Sequence, residues 1–174
     1  MKPLRELKQG GLLSVVLPSY NEEASIPRAA ERITQLLTAA DIPFELLFVD
    51  DGSKDGSWAA IQTQAARFPQ VRGVRFSRNF GKEAAIFAGL AQARGDCAAV
   101  MDCDLQHPPE KLEEMYRLWQ QGYEVIEGVK VSRGKESPLH AFAAHRFYDI
   151  LSRVTGVDMS RASDFKLLDR KAVD

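Results

Sequence analysis

The chain has 174 residues, a net charge of −1 and a hydrophobic fraction of 45%, values typical of one ordinary globular domain. A near-neutral charge gives no global basic surface, so we expect no nucleic acid among its partners. Two cysteines are too few for a disulfide framework and are not spaced as a zinc site, which favours reduced, cytoplasmic thiols.

Short apolar segments alternate along the chain with segments of helical periodicity. Strands are predicted over 13–17, 44–49, 71–76, 97–101 and 123–126. Helices are predicted over about 25–40, 57–68, 83–94, 108–122 and 139–154. Because unbroken apolar strands are buried on both faces, this pattern predicts an α/β fold: a mainly parallel sheet flanked by helices on both faces.

Polar and glycine-bearing residues follow each of the first four predicted strands. In such sheets ligands bind beyond the carboxyl ends of the strands, so these segments are the candidate site. The four segments cover residues 18–23, 50–57, 77–82 and 102–107.

Asp102 and Asp104 follow the fourth predicted strand. Residues two apart in an extended strand point the same way, so both carboxylates are predicted to face one side. Carboxylate oxygens suit Mg²⁺ or Mn²⁺, which take water and substrate phosphates as further ligands. Gln106 continues the alternation and could add a carbonyl oxygen. The alternative is an Asp-rich turn at the start of the next helix.

Three other residues at these strand ends are candidate ligand contacts. Asp51 can accept hydrogen bonds from a base or ribose, and Tyr20 can lay its ring against a base. Lys82 begins a helix, where anions are stabilised, and could reach a diphosphate. For the neighbouring Ser53 and Asp55, turn and helix-cap roles are favoured.

Together these motifs resemble family-2 glycosyltransferases of the GT-A fold, a Rossmann-like fold, over nearly the whole chain. The narrower match is to the polyprenyl-phosphate glycosyltransferases, a subgroup similar to dolichol-phosphate mannose synthase and the bactoprenol glucosyltransferases, and residues 105–110 and 163–168 carry it. The broader motifs are Pro18-x-Tyr20-Asn21-Glu22, Asp50-Asp51-Gly52-Ser53-x-Asp55-Gly56, Asn79-x-Gly81-Lys82 and Asp102-x-Asp104-x-Gln106-x-Pro108.

The resemblance implies a role for each candidate residue. Asp102, Asp104 and Gln106 would hold the metal and the donor diphosphate. Asp164 matches a proposed catalytic aspartate, a general base for a hydroxyl acceptor or an orienting group for a phosphate. Lys130 and Arg133 would bind the acceptor phosphate, although relatives often carry arginine at position 130, whose fork binds phosphate through two bonds. The nucleotide-sugar pocket would be formed by Pro18, Tyr20, Asn21, Glu22, Asp51, Lys82 and Asp102.

The implied reaction is an inverting, metal-dependent transfer of a sugar from a nucleotide-diphosphate sugar to a polyprenyl phosphate at the cytoplasmic membrane face. UDP-sugar is the favoured donor and GDP-sugar the next. Residues 130–153 carry a local charge of about +3, which could meet an anionic lipid head group or leaflet or could be an ordinary solvated face. We expect 1–174 to be a single catalytic domain of a membrane-anchored parent that continues into membrane helices.

Three other readings of the sequence stay open. The acceptor could be a soluble or glycan hydroxyl. The chain could be an inactive nucleotide-sugar-binding module, against which the intact Asp102 and Asp104 argue. The aspartates could also serve a metal-dependent phosphohydrolase, which would release sugar phosphate or phosphate from the donor without an acceptor.

Overall fold

The computed structural model describes residues 10–128 and 165–173. The strands are β1 (Leu13–Ser19), β2 (Phe44–Asp50), β3 (Val71–Arg75), β4 (Cys97–Val100), β5 (Val125–Glu127) and β6 (Lys166–Asp169). The helices are α1 (Ser25–Ala39), α2 (Ser57–Arg67), α3 (Lys82–Gln92), α4 (Lys111–Gln120) and α5 (Arg170–Val173). Five strands and four helices thus lie where the sequence predicts them, and the predicted helix over 139–154 lies outside the described residues.

The strands form one sheet in the order β3-β2-β1-β4-β6-β5. The first four pair in parallel, whereas β6 is antiparallel to both β4 and β5. The predicted mainly parallel sheet is therefore confirmed. Strand β6 was not predicted, because four residues with charged ends show no periodicity, and it inserts between β4 and β5.

Strand β1 runs past the proline at which the sequence pattern predicted its end. Pro18 pairs with Val49 of β2, while the pairing of β1 with β4 stops at Val16. On the β4 side no ladder partner remains at Pro18, so its missing N–H costs no strand hydrogen bond. The extension brings Ser19 and Tyr20 to the edge of the sheet.

Helices cover both faces of the sheet, as predicted. Alternate residues of β1 point to opposite faces, with Val15 in the core beneath α1, α2 and α4 and Val16 in the core beneath α3. Leu167 and Leu168 of β6 divide between the same two cores. In the described ranges, no helix has both the length and the apolar character that a bilayer span requires.

A buried carboxylate ties together the amino ends of β1 and β2, at the edge opposite the candidate site. Glu45 accepts hydrogen bonds from Ser14 Oγ at 2.6 Å, the Arg94 N–H at 2.7 Å and the Arg72 guanidinium at 2.6 Å. Burial raises the pKa of Glu45, but these three hydrogen bonds and the Arg72 charge outweigh it and hold that pKa below its usual value. The ionised Glu45 carboxylate therefore stabilises this edge of the sheet.

Candidate active site

A cavity of about 300 Å³ lies at the carboxyl edge of the parallel strands. Because β1 to β4 run in parallel, the segments that follow them meet at this edge. Each of the four predicted strand-end segments contributes to the wall. The lining residues are Pro18, Ser19, Tyr20, Glu22, Asp51, Asn79, Gly81, Lys82, Ala85, Asp102, Cys103 and Asp104.

The loop after β1 is fixed on the loop after β2 by hydrogen bonds in both directions. The Asn21 N–H donates to Ser53 Oγ at 2.9 Å, and the Lys54 N–H donates back to Asn21 Oδ1 at 2.9 Å. The Glu22 N–H donates to Ser57 Oγ at 2.8 Å. Asn21 has a φ of +53°, a left-handed conformation that asparagine tolerates well. In this structure Asn21 braces the loop and is not among the residues that line the cavity.

Asp51 holds the loop after β3 with both carboxylate oxygens. Its Oδ1 accepts the Phe80 N–H at 2.7 Å, and its Oδ2 accepts the Gly81 N–H at 3.0 Å. Beside it, a Cβ on Gly52 would lie 2.3 Å from the carbonyl carbon of Arg78, so only glycine allows the two loops to approach this closely. Asp51 also lines the cavity, and each of its oxygens keeps a second lone pair besides the one that accepts an amide.

Asp102 and Asp104 both line the cavity, as the alternation predicted, but they do not lie on an extended strand. Strand β4 ends at Val100, and the chain then turns, with Leu105 at a φ of +60°. Asp104 Oδ1 accepts the Gln106 N–H at 3.0 Å, whereas the Gln106 side chain is exposed and is not part of the lining. Asp102 and Asp104 therefore reach the cavity from a turn and not from an extended strand.

The pKa of Cys103, the buried thiol between the two aspartates, is affected by the acidic side chains near this loop. Cys103 is almost fully buried, and Ser19 Oγ donates to its sulfur at 3.6 Å. Burial, with a smaller contribution from the nearby carboxylates of Glu22, Asp102 and Asp104, raises the pKa of Cys103 to about 12 against the lowering effect of the Ser19 hydrogen bond. Three acidic side chains therefore surround this thiol at the cavity wall.

The donor atoms at this wall fit a hard divalent cation with several exchangeable ligands. Asp102 and Asp104 supply carboxylate oxygens, the ligand type preferred by Mg²⁺ and Mn²⁺. Within 10–128 and 165–173, no group of three or more His, Cys, Asp or Glu side chains forms a complete metal cage. A cation held by these two aspartates would therefore take its remaining ligands from water and a bound anion.

Lys82 supplies the positive charge at the same wall. Its Nζ lies 2.8 Å from Asp102 Oδ1, and its side chain is 39% exposed. Lys82 is the first residue of α3 and follows Gly81, whose φ of +101° turns the loop into the helix. Lys82 thus lies at a helix start, as the sequence predicted, and the structure places it beside Asp102.

The segment that returns to the sheet at β6 attaches beside the aspartate loop. The ring of His107, three residues after Asp104, lies 5.3 Å from the ring of Phe165. The Gly128 N–H donates to the Phe165 carbonyl at 2.8 Å, so the end of the first described range and the start of the second lie side by side. His107 is packed here, where it lines a separate cavity, and it is not among the residues that line the strand-end cavity.

The cavity thus brings together most of the residues predicted from the sequence. Of the nucleotide and metal candidates, only Asn21 and Gln106 are not in the lining. Asp164, Lys130 and Arg133 lie outside the described residues. Ser19 and Asn79 also line the cavity, although no site role was predicted for either; for Asn79 the available signal was its place after β3, in the motif that also contains Lys82.

The family described as Glycosyl transferase family 2 matches residues 14–174 of this chain. The uncharacterized glycosyltransferase YkcC of Bacillus subtilis (strain 168) is 41% identical over 162 residues, covering 92% of this chain and 50% of that protein. The undecaprenyl-phosphate 4-deoxy-4-formamido-L-arabinose transferase of Aeromonas hydrophila is 38% identical, covering 86% of this chain and 46% of that protein. The bactoprenol glucosyl transferase of Shigella phage SfV is 32% identical, covering 93% and 53%. The chain therefore spans about half the length of these relatives.

Solved structures show the same fold. The mannosyltransferase PcManGT from Pyrobaculum calidifontis, in complex with GDP-Man and Mn²⁺, has a TM-score of 0.62 at 21% identity and covers 95% of this chain and 46% of that one. Glucosyl-3-phosphoglycerate synthase from Mycobacterium tuberculosis, in complex with Mn²⁺, UDP and phosphoglyceric acid, has a TM-score of 0.65 at 23% identity and covers 97% and 59%. The predicted GT-A fold is thereby confirmed.

Proposed function

We propose that this chain, which belongs to glycosyl transferase family 2, carries the sugar-transfer site of an enzyme that moves a sugar from a nucleotide-diphosphate sugar to a polyprenyl phosphate. The observation that carries the proposal is one cavity in which two carboxylates, a lysine and the ends of four parallel strands meet. That combination suits a ligand with a diphosphate at its centre and a nucleoside on one side.

On the donor side, Asp102 and Asp104 would hold a divalent cation. When bound, such a cation acts as a Lewis acid that neutralises the diphosphate as the bond to the sugar breaks. Lys82 adds a further positive charge at the same wall. Tyr20, half exposed beside Pro18, offers its ring to the nucleobase. Two of the similar solved structures are complexes with UDP or GDP-Man and with Mn²⁺, which supports this class of donor.

On the acceptor side, two relatives are named for undecaprenyl phosphate and bactoprenol, which supports a lipid-phosphate acceptor. We place the transfer at the cytoplasmic membrane face. A phosphate monoester is largely dianionic at pH 7, so its oxygen needs orientation more than deprotonation. We assign that orienting role to Asp164. It precedes Phe165, which contacts His107 of the aspartate loop and is hydrogen-bonded to Gly128. Lys130 follows Gly128 closely in sequence and, with Arg133, is assigned to the acceptor phosphate.

The donor assignment is tested by calorimetric titration of the chain with UDP, GDP and CDP, with and without Mn²⁺. We expect UDP to bind most tightly, GDP next, and both to bind more tightly with Mn²⁺. Failure of all three nucleotides to bind would defeat the nucleotide-sugar assignment. Release of sugar phosphate or phosphate from the donor without acceptor would instead indicate a phosphohydrolase.

The acceptor assignment is tested by turnover with a short polyprenyl phosphate and, separately, with soluble and glycan hydroxyl acceptors. Arg133→Ala should raise the KM for the polyprenyl phosphate and leave UDP binding unchanged, whereas Arg28→Ala, an exposed arginine on α1, should change neither. Equal loss of acceptor use and donor binding in Arg133→Ala would contradict the assignment. Turnover only with a hydroxyl acceptor would favour that alternative, and UDP binding without turnover would favour a binding module.

A further inference from the structure

The ion pair between Lys82 and Asp102 contains the two groups that the proposed donor site needs. Asp102 supplies a carboxylate for the divalent cation, and Lys82 supplies a positive charge for the diphosphate. Lys82 Nζ lies 2.8 Å from Asp102 Oδ1, at hydrogen-bonding distance. Both side chains line the cavity, and neither is deeply buried, with exposed fractions of 39% and 29%. The pair therefore lies where water and small ions reach it.

A divalent cation and this ammonium compete for the same carboxylate. Asp102 and Asp104 lie two residues apart in one loop, and the carboxylates of both line the cavity. An ammonium held on Asp102 reduces the negative charge that attracts a cation, and it would repel a doubly charged ion bound at the neighbouring oxygens. Metal binding to Asp102 therefore weakens its bond to Lys82.

Lys82 keeps its access to the cavity when it leaves Asp102. Its backbone is fixed at the first turn of α3, because Asp51 holds the preceding Gly81 N–H at 3.0 Å. Its long side chain has several rotamers and a compact charge that serves equally well for a carboxylate or a phosphate. The amides at the start of α3 also favour an anion at this place.

We propose that Lys82 is an exchangeable counter-cation: it neutralises Asp102 in the metal-free site and transfers to the donor diphosphate when the divalent cation binds. This inference rests on the proposed metal-dependent donor site. It makes Lys82 a positioning residue with two opposite effects. Lys82 weakens the binding of the cation alone and strengthens the binding of the diphosphate only in the presence of the cation.

The experiment measures three affinities in the unsubstituted chain and in Lys82→Gln: Mn²⁺ alone, UDP alone, and UDP at saturating Mn²⁺. Free Mn²⁺ is followed by electron paramagnetic resonance and UDP by calorimetry. Lys82→Gln should bind Mn²⁺ alone about two- to fivefold more tightly, the range expected for removal of one exposed ion pair. Its UDP affinity should fall about tenfold with Mn²⁺ and change little without it.

Arg78→Gln is the matched control, because Arg78 is a cation on the same loop whose guanidinium lies over the Phe80 ring at 4.2 Å. It should leave all three affinities unchanged. An unchanged Mn²⁺ affinity in Lys82→Gln, or a loss of UDP affinity by the same factor with and without Mn²⁺, would overturn the exchange. The same changes in Arg78→Gln would also overturn it, since they would show that any positive charge on this loop has the effect through long-range electrostatics. Absence of nucleotide binding in the unsubstituted chain would remove the proposed function itself.

Discussion

Replacement of Asp51 by asparagine separates a loop-holding role from a ligand-binding role. Asp51 is 3% exposed, and its two oxygens accept the Phe80 and Gly81 amides at 2.7 and 3.0 Å. Asparagine keeps one acceptor oxygen and presents an NH₂ group to the other amide, which cannot accept. One charge-assisted hydrogen bond is lost, and the free energy of unfolding should fall by about 2 kcal/mol.

The lost hydrogen bond should also lower the affinity for the nucleotide, because the loop held by Asp51 leads directly into Lys82. We expect Asp51→Asn to lower UDP affinity at saturating Mn²⁺ by about tenfold, the value of one hydrogen bond to a charged group. Urea denaturation followed by circular dichroism measures the stability, and calorimetry measures the affinity. Asp51→Ala should cost about 4 kcal/mol of stability, because both amides lose their acceptor.

Glu45→Gln provides the control, since Glu45 is also a buried carboxylate that accepts a backbone amide but lies at the opposite edge of the sheet. It should lose about 2 kcal/mol of stability without any change in UDP affinity. If Asp51→Asn unfolds at the same urea concentration as the unsubstituted chain yet binds UDP more weakly, the loop-holding argument is refuted. Asp51 would then act on the nucleotide directly.

Three further predictions concern the metal, acid stability and the buried thiol. Asp104→Asn, at an exposed position, should weaken Mn²⁺ binding by at least about tenfold, the loss typical even of groups that only orient a metal ligand, with little change in the urea midpoint; a large drop in stability would contradict the metal role. Because the folded pKa of Glu45 lies below its usual value of 4.5, its stabilisation is complete above pH 4.5 and is lost as pH falls through the folded pKa. The stability difference between the unsubstituted chain and Glu45→Gln should therefore shrink under acid titration, and a difference that grows would contradict this sign. With the pKa of Cys103 raised to about 12 and Cys97 also buried, neither thiol should react with a disulfide reagent at pH 8 before unfolding; fast labelling of the native chain would show that the aspartate loop opens.

Much of the site could be predicted because its signals are local in the sequence. Asp102 and Asp104 follow an apolar run that ends in a buried strand, and Asp51 follows another. Parallel strands place such positions at one edge of the sheet wherever the strands come in the order. The alternation of apolar segments was thus enough to predict that these aspartates and Lys82 lie at the same edge of the sheet.

The pattern failed where the deciding contacts are distant in sequence. Strand β6 has only four residues, and its place between β4 and β5 follows from pairing with Cys97–Val100 about seventy residues earlier. The nucleotide contact that the resemblance implies for Asn21 stays a prediction, but the sequence did not predict that its amide oxygen accepts the Lys54 N–H in the next loop. Neither feature has a signal in its own segment, since both depend on which loop lies opposite.

The sequence by itself determined the α/β class, the first five strands along the chain and the chemistry at the strand ends, because apolar periodicity and residue type act locally. Only the tertiary structure decided which of those groups meet. It brought Lys82 to 2.8 Å from Asp102 and bound both oxygens of Asp51 to backbone amides. The physical reason is that hydrogen bonds and ion pairs act over a few ångströms, and folding sets those distances.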